Sequence, residues 1–97
     1  MEYKVNDIVS VAVEIFKSGK KKISFSAPSE GSVIKNMDFP IIGIDENMET
    51  YKIYVPEDLV SWKVGTFAVL FQGVDKKYLG HNFYDITEAM ILGKKKK

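Results

Sequence analysis

From Asp7 to Phe16 the chain reads DIVSVAVEIF, with Val9, Val11, Val13 and Ile15 at period two. β-Branched residues at this spacing predict a strand with one apolar face, while Ile8, Ser10, Ala12, Glu14 and Phe16 form a mixed opposite face. A polar stretch with Gly19 follows. Lys22–Ala27 then alternates again, setting Ile23, Phe25 and Ala27 against Lys22, Ser24 and Ser26. Two alternating runs around a short glycine-containing loop predict a β-hairpin. Pro28–Gly31 has loop chemistry. Phe39–Ile44 is apolar but holds Pro40, which cannot donate to a ladder, so an edge strand, a strand start or a bulge is expected there. Asp45–Glu49 predicts a turn, and Thr50–Val55 alternates with Tyr51, Ile53 and Val55 against Thr50, Lys52 and Tyr54. Pro56–Leu59 predicts the opening of a short helix, with proline first and acids near the positive end of the dipole. Thr66–Phe71, TFAVLF, is apolar on both parities and predicts a central strand buried on both faces, with Tyr78–Tyr84 as its hairpin partner. For Ile86–Leu92 a strand is favoured over a helix capped by Asp85–Glu88 and Gly93.

Six short strands, regular turn signals and at most one short helix describe an all-β, mainly antiparallel domain. A small barrel of five to six strands, OB-like or SH3-like, is the expected architecture because closure removes exposed edges. A small β-sandwich is the alternative. Residues 1–93 are expected to form one β domain, followed by a flexible lysine tail, 94–97, that buries nothing and adds no stability.

Composition removes several classes of chemistry. The chain has 97 residues, no cysteine and a single histidine, so it has no disulfide scaffold, thiolate metal site or cysteine nucleophile. His81 lies in Gly80–Asn82, a loop setting, and nothing in the sequence pairs it with a nucleophile. The oxygen-rich run Asp45–Glu49 lacks the spacing of a calcium loop, and phosphate-loop and dinucleotide patterns are absent. The expectation is a non-enzymatic protein with no catalytic residues, metal or cofactor. No apolar run is long enough to span a membrane, and MEYKVND does not read as a signal peptide, so a cytoplasmic location away from membranes is expected.

All 14 basic residues are lysine, which supplies point charges rather than the bidentate fork of arginine. Their distribution is uneven. Residues 30–62 carry two lysines against seven acids, whereas residues 63–97 carry seven lysines against three acids. Lysines cluster at expected tips and termini: Lys20, Lys21 and Lys22; Lys76 and Lys77; and Lys94–Lys97. A barrel that gathers these tips on one rim presents a positive patch to polyanions, the alternative being that they only keep the surface soluble. Aromatics stand beside several of them. Tyr54 follows Lys52 by two on the outward parity, Trp62 precedes Lys63, and Tyr78 follows Lys77. Rings that stack bases next to ammonium groups that meet phosphates are the elements of single-strand recognition. Phe25, Phe67 and Phe71 read as core, and for Trp62 a plug at the barrel end is favoured over a stacking platform.

Two short resemblances accompany this reading. Gly65–Phe67 through Phe71–Gly73, then Gly80, Asp85 and Ile91–Leu92 before a lysine pair, resembles the closing part of the small OB-type subunit shared by eukaryotic and archaeal RNA polymerases. Lys63–Gly65 with Phe67 is similar to a stretch of filamentous-phage single-strand DNA-binding proteins, also OB-type. Both imply a barrel, and no functional residue is carried over from either. The expected function is a binding module that contacts single-stranded nucleic acid with low specificity through Lys20, Lys21, Lys22, Lys52, Tyr54, Trp62, Lys63, Lys76 and Lys77. The alternative is a protein–protein module, an assembly subunit or a phage or mobile-element accessory factor, whose acidic stretch Asp38–Asp58 meets a basic partner. A homodimer is also expected, covering the Phe39–Ile44 edge and the mixed face of Ile8 and Phe16.

Overall fold

The computed structural model describes residues 1–95. Seven strands occur in the order β1 (Ile8–Ile15), β2 (Lys21–Ile23), β3 (Val33–Asp45), β4 (Thr50–Tyr54), β5 (Trp62–Lys63), β6 (Asn82–Thr87) and β7 (Ile91–Lys94). One α-helix, α1 (Thr66–Phe71), lies between β5 and β6, and single 3-10 turns occupy Lys76–Tyr78 and Glu88–Met90. All strand pairs are antiparallel and follow the order β2-β1-β3-β4-β6-β5, with β7 on β1 beside β2. The sheet curls until its two ends touch. Val60 N–H donates to the Lys21 carbonyl at 2.9 Å, next to a lone parallel bridge between Lys21 and Leu59. The result is a half-barrel with one short helix, the small-barrel architecture expected from the pattern.

Period-two spacing places the core. Val9, Val11, Val13, Ile23, Phe39, Ile41, Tyr51, Ile53 and Ile86 all point into the concave side and are buried with Val55 and Leu59. Fully burying one such aliphatic side chain contributes about 1.5–3 kcal/mol, so this cluster is the main source of stability. A second, smaller cluster lies on the opposite face of β3, β4 and β6, where α1 and the following turn cover Ile42, Val64, Ala68, Val74 and Phe83. Gly43 permits this cover. A Cβ there would sit 2.7 Å from Val74 Cγ2 and 3.6 Å from Lys52 Cδ.

The middle of the chain departs from expectation. β3 starts at Val33, well before Phe39, and changes partner along its length: Val33–Pro40 pair with β1, and Ile41–Asp45 pair with β4. Pro40 stands opposite Ile8, whose carbonyl is already taken by the Lys95 N–H at 2.8 Å. At that rung the β3 backbone therefore faces away from β1, and the missing N–H of Pro40 costs no β1–β3 hydrogen bond. Ile41–Asp45, by contrast, pairs with β4 through one of the expected alternatives, a bulge between Ile41 and Gly43, while Ile41 also exchanges backbone hydrogen bonds with Asn6 and Asp7. Residues 57–58 form a turn rather than the opening of a helix.

Thr66–Phe71 is a helix, not a central strand. A short run of apolar residues carries no periodicity that separates the two. Here Gly65 precedes the helix in an extended conformation, and Gly73 closes it at φ +70° while Val74 N–H returns to the Ala68 carbonyl at 3.2 Å. This glycine-capped end leaves only Ala68 buried. β6 consequently pairs with β4 and β5, and the expected hairpin between 66–71 and 78–84 does not form. Phe25, Phe67 and Phe71, expected in the core, are exposed. Ile86–Leu92 divides into the end of β6, a 3-10 turn and the start of β7. β7 runs one residue past the expected boundary at 93, and the rest of the lysine run, 96–97, lies outside the described residues.

Candidate nucleic-acid interface

β5 is only two residues long, and both of its side chains reach solvent. Trp62, 54% exposed, stacks on Tyr84 with ring centroids 4.9 Å apart and planes at 28°, and lies 6.1 Å from Phe83. The Tyr84 ring fixes the indole while leaving more than half of it open. This corrects the expectation of a core plug: the edge position of β5 leaves the indole outside the core. Lys63 donates to Asn82 Oδ1 at 2.7 Å, and Asn82 Nδ2 donates to Ser61 Oγ at 2.8 Å. Its distance of 3.9 Å to the exposed Glu57 is a weak pairing.

A second aromatic group adjoins the first through Asn82. The Tyr54 ring is 5.2 Å from His81 and 6.1 Å from Tyr78, and Tyr78 meets His81 edge-on at 6.0 Å. Lys77 Nζ stands 5.1 Å above the Tyr78 ring, a cation–π geometry. Asp75 accepts the Lys77 N–H and so caps the 3-10 turn that carries Lys76 and Lys77. A shallow cleft of about 280 Å³ runs between Tyr54, Pro56, Leu79, His81 and Asn82. Burial pushes the Tyr84 phenol upward in pKa, with the nearby Asp85 charge acting in the same direction, so it remains a neutral hydrogen-bond donor near neutral pH.

Other candidates are not brought to this surface. Lys52 is 1% exposed, its ammonium 2.6 Å from Asp85 Oδ1 and 5.5 Å above Phe83, so it meets no phosphate. Lys52 does lie on the parity opposite Tyr51 and Ile53, but that face is roofed by α1 and the turn after it. Lys21 is held by Asp58 at 2.7 Å, and this ammonium keeps the Asp58 carboxyl below the usual carboxylate range. Lys22 lies over Phe16 and Phe25 at 5.7 and 5.4 Å, making a separate basic–aromatic group at the β1–β2 hairpin with the exposed Lys20 beside it. The lysine clusters do not share one rim. Lys21 pairs opposite Ile15 and Lys94 opposite Val9, six residues or about 20 Å apart along β1. Lys94 and Lys95 approach Asp7 and Asp38 at 3.4 and 3.6 Å.

Tyr84, His81 and Asn82 belong to the surface but were not expected there. Alternation over residues 82–87 separates Phe83 and Asp85 from Tyr84 and Ile86, but the pairing of Trp62 with Phe83 depends on a β5 too short to carry a pattern. Three of the six acids from Asp38 to Asp58 are engaged within the chain. Asp38 accepts from Ser10 Oγ, Asp45 accepts the N–H groups of Asn47 and Met48 in its own turn, and Asp58 holds Lys21. Among the described residues no three His, Asp or Glu side chains gather as a metal site, and no helix is long and apolar enough to cross a membrane. Comparisons with protein-family models, with curated proteins and with solved structures return no match.

Proposed function

We propose that this protein is a non-enzymatic binding module whose β5–β6 surface takes single-stranded nucleic acid with low sequence specificity. The observation that carries the reading is the exposed Trp62–Tyr84 stack with Lys63 beside it. An aromatic platform flanked by ammonium groups accepts any base by its π-face and any phosphate by charge. Lys76 and Lys77 extend the positive surface past Tyr78 and His81. Lys52 has no part in it.

Trp62 is the only tryptophan, so its fluorescence reports stacking directly. Titration with a labelled oligonucleotide at low salt should quench it, and anisotropy should show affinity falling steeply as salt rises. Trp62→Ala should weaken binding by about 1–3 kcal/mol. Absence of binding at low salt, or binding indifferent to Trp62→Ala, defeats the proposal.

A protein-binding module is the second reading, and the exposed apolar face of α1 favours it. Pull-down from native lysate separates the two: a partner retained through nuclease and high salt supports the second reading and not the first.

A further inference from the structure

The outer face of α1 consists of Phe67, Leu70 and Phe71, spaced i, i+3, i+4 and exposed by 64%, 66% and 73%. The two rings contact each other at 5.1 Å, and among the described residues both stay exposed. A phenylalanine ring covers roughly 150–250 Å² when buried, so the trio offers on the order of 300–400 Å² of apolar surface. That is about half of the ~800 Å² each partner contributes to a stable interface, the share expected of its apolar centre.

Opposite charges flank the helix, with Glu57 only weakly paired to the basic one at 3.9 Å. Lys63 precedes the N-terminal end by three residues. At the C-terminal end Gln72 Nε2 reaches Asp45 Oδ2 at 3.4 Å, which places the acidic turn of Asp45 and Glu46 there. Glu46 is exposed and takes part in no ion pair among the described residues. A surface that is apolar at its centre, basic at one end and acidic at the other complements itself after a two-fold rotation.

We propose that the α1 face binds a second copy of this chain. The two helices pack antiparallel about a two-fold axis, Phe67, Leu70 and Phe71 form the shared centre, and Lys63 of each copy faces Glu46 of the other. The pairing is through the helix face and not through the backbone edge of Phe39–Ile44, where Ile41–Asp45 is already paired with β4, and it does not rest on the nucleic-acid reading.

Mass by light scattering across micromolar concentrations, without nucleic acid, tests it. The expected mass is twice the 11.0 kDa of the chain. Leu70→Ser with Phe71→Ser, both exposed positions, should weaken association by at least about tenfold while leaving the circular dichroism spectrum unchanged, and should remove any rise of Tm with protein concentration. Lys63→Glu alone and Glu46→Lys alone should each weaken it, and the two together should restore it. A wild-type chain that stays monomeric overturns the proposal, whatever else the helix face then binds. So does a dimer indifferent to the Leu70 and Phe71 substitutions. Failure of the double charge reversal to restore association overturns the antiparallel arrangement.

Discussion

Lys52 and Asp85 form an ion pair whose two members are unequally placed, and this inequality predicts unequal mutational costs. The Lys52 side chain is 1% exposed, whereas that of Asp85 is 38% exposed. Asp85→Asn removes the counter-charge and leaves an ammonium roofed by the α1 segment, with the Phe83 face 5.5 Å away as its nearest compensation. Removing one partner of a fully buried pair costs about 3–5 kcal/mol. Water reaching the pair through the exposed Asp85 side lowers that, so a loss of about 2 kcal/mol is expected. Lys52→Met removes the buried charge instead and keeps the stem that packs against Gly43. Asp85 then rehydrates in place, and the expected change is within about 1 kcal/mol.

Urea unfolding measures both. For a domain with an m-value of about 1–3 kcal/mol/M, Asp85→Asn should lower the midpoint by about 0.7–2 M and Lys52→Met by clearly less. In the double mutant the two effects should not add, because Lys52→Met has already removed the charge that Asp85→Asn would strand. If Lys52→Met costs as much as Asp85→Asn, the pair is not asymmetric in solution and the reasoning is refuted. Lys52→Met should also leave oligonucleotide binding unchanged, in contrast to Lys63→Met.

Two further predictions concern stability. Glu14 accepts from Ser32 Oγ and Ser29 N–H at 2.7 Å each, and Glu88 accepts from Glu2 N–H and Tyr51 Oη; these bonds hold both carboxyls below their usual value of 4.5, while backbone and lysine partners hold Asp7 and Asp58 below 3.8. Depressed carboxylate pKa values give stability that is complete above the unfolded values and is lost as pH falls through the folded ones, so Tm should be level from neutrality to about pH 5 and fall below about 4.5, with a shallower fall in Glu14→Gln; a Tm unmoved at about pH 3 contradicts this. A chain ending at Gly93 loses the β7 rung of Lys94 and the Lys95 N–H bond to Ile8, at about 0.5–1.5 kcal/mol per hydrogen bond, and should melt below a chain ending at Lys95; equal Tm values count against docking of β7 beyond Gly93.

The legible parts of the fold are those where one face is dry and the other wet. β1 shows this from Ile8 to Val13, and its core positions Val9, Val11 and Val13 follow directly from parity, as do the inward residues Tyr51 and Ile53 of β4. Parity fails where a strand is wet on both faces or dry on both. Val33, Ile34, Lys35 and Asn36 are all exposed, because the first half of β3 extends along β1 with no second partner, so no alternation marks it. Lys52 is the converse case. It occupies the solvent parity of β4, but an eighteen-residue excursion between β5 and β6 returns over that face, and nothing local to Thr50–Tyr54 announces the roof.

The same excursion explains why the candidate surface was only half legible. Trp62, Lys63, Lys76, Lys77 and Tyr54 are separated in sequence by an apolar run that reads as core. If that run were a central strand, Trp62 would sit at its buried entrance. Because it is a helix laid on the outside, it instead pushes β5 to the sheet edge, where Trp62 finds Tyr84 and Lys63 finds Asn82. Placing Phe67 and Phe71 outside therefore accompanies placing Trp62 outside: both follow from the segment between Gly65 and Gly73 folding as a helix. An exposed stacking platform and an exposed apolar helix face are thus consequences of one local choice between strand and helix. A substitution that unfolds α1 without filling the core should consequently disturb the Trp62 environment as well as association, which the fluorescence of the single tryptophan can follow.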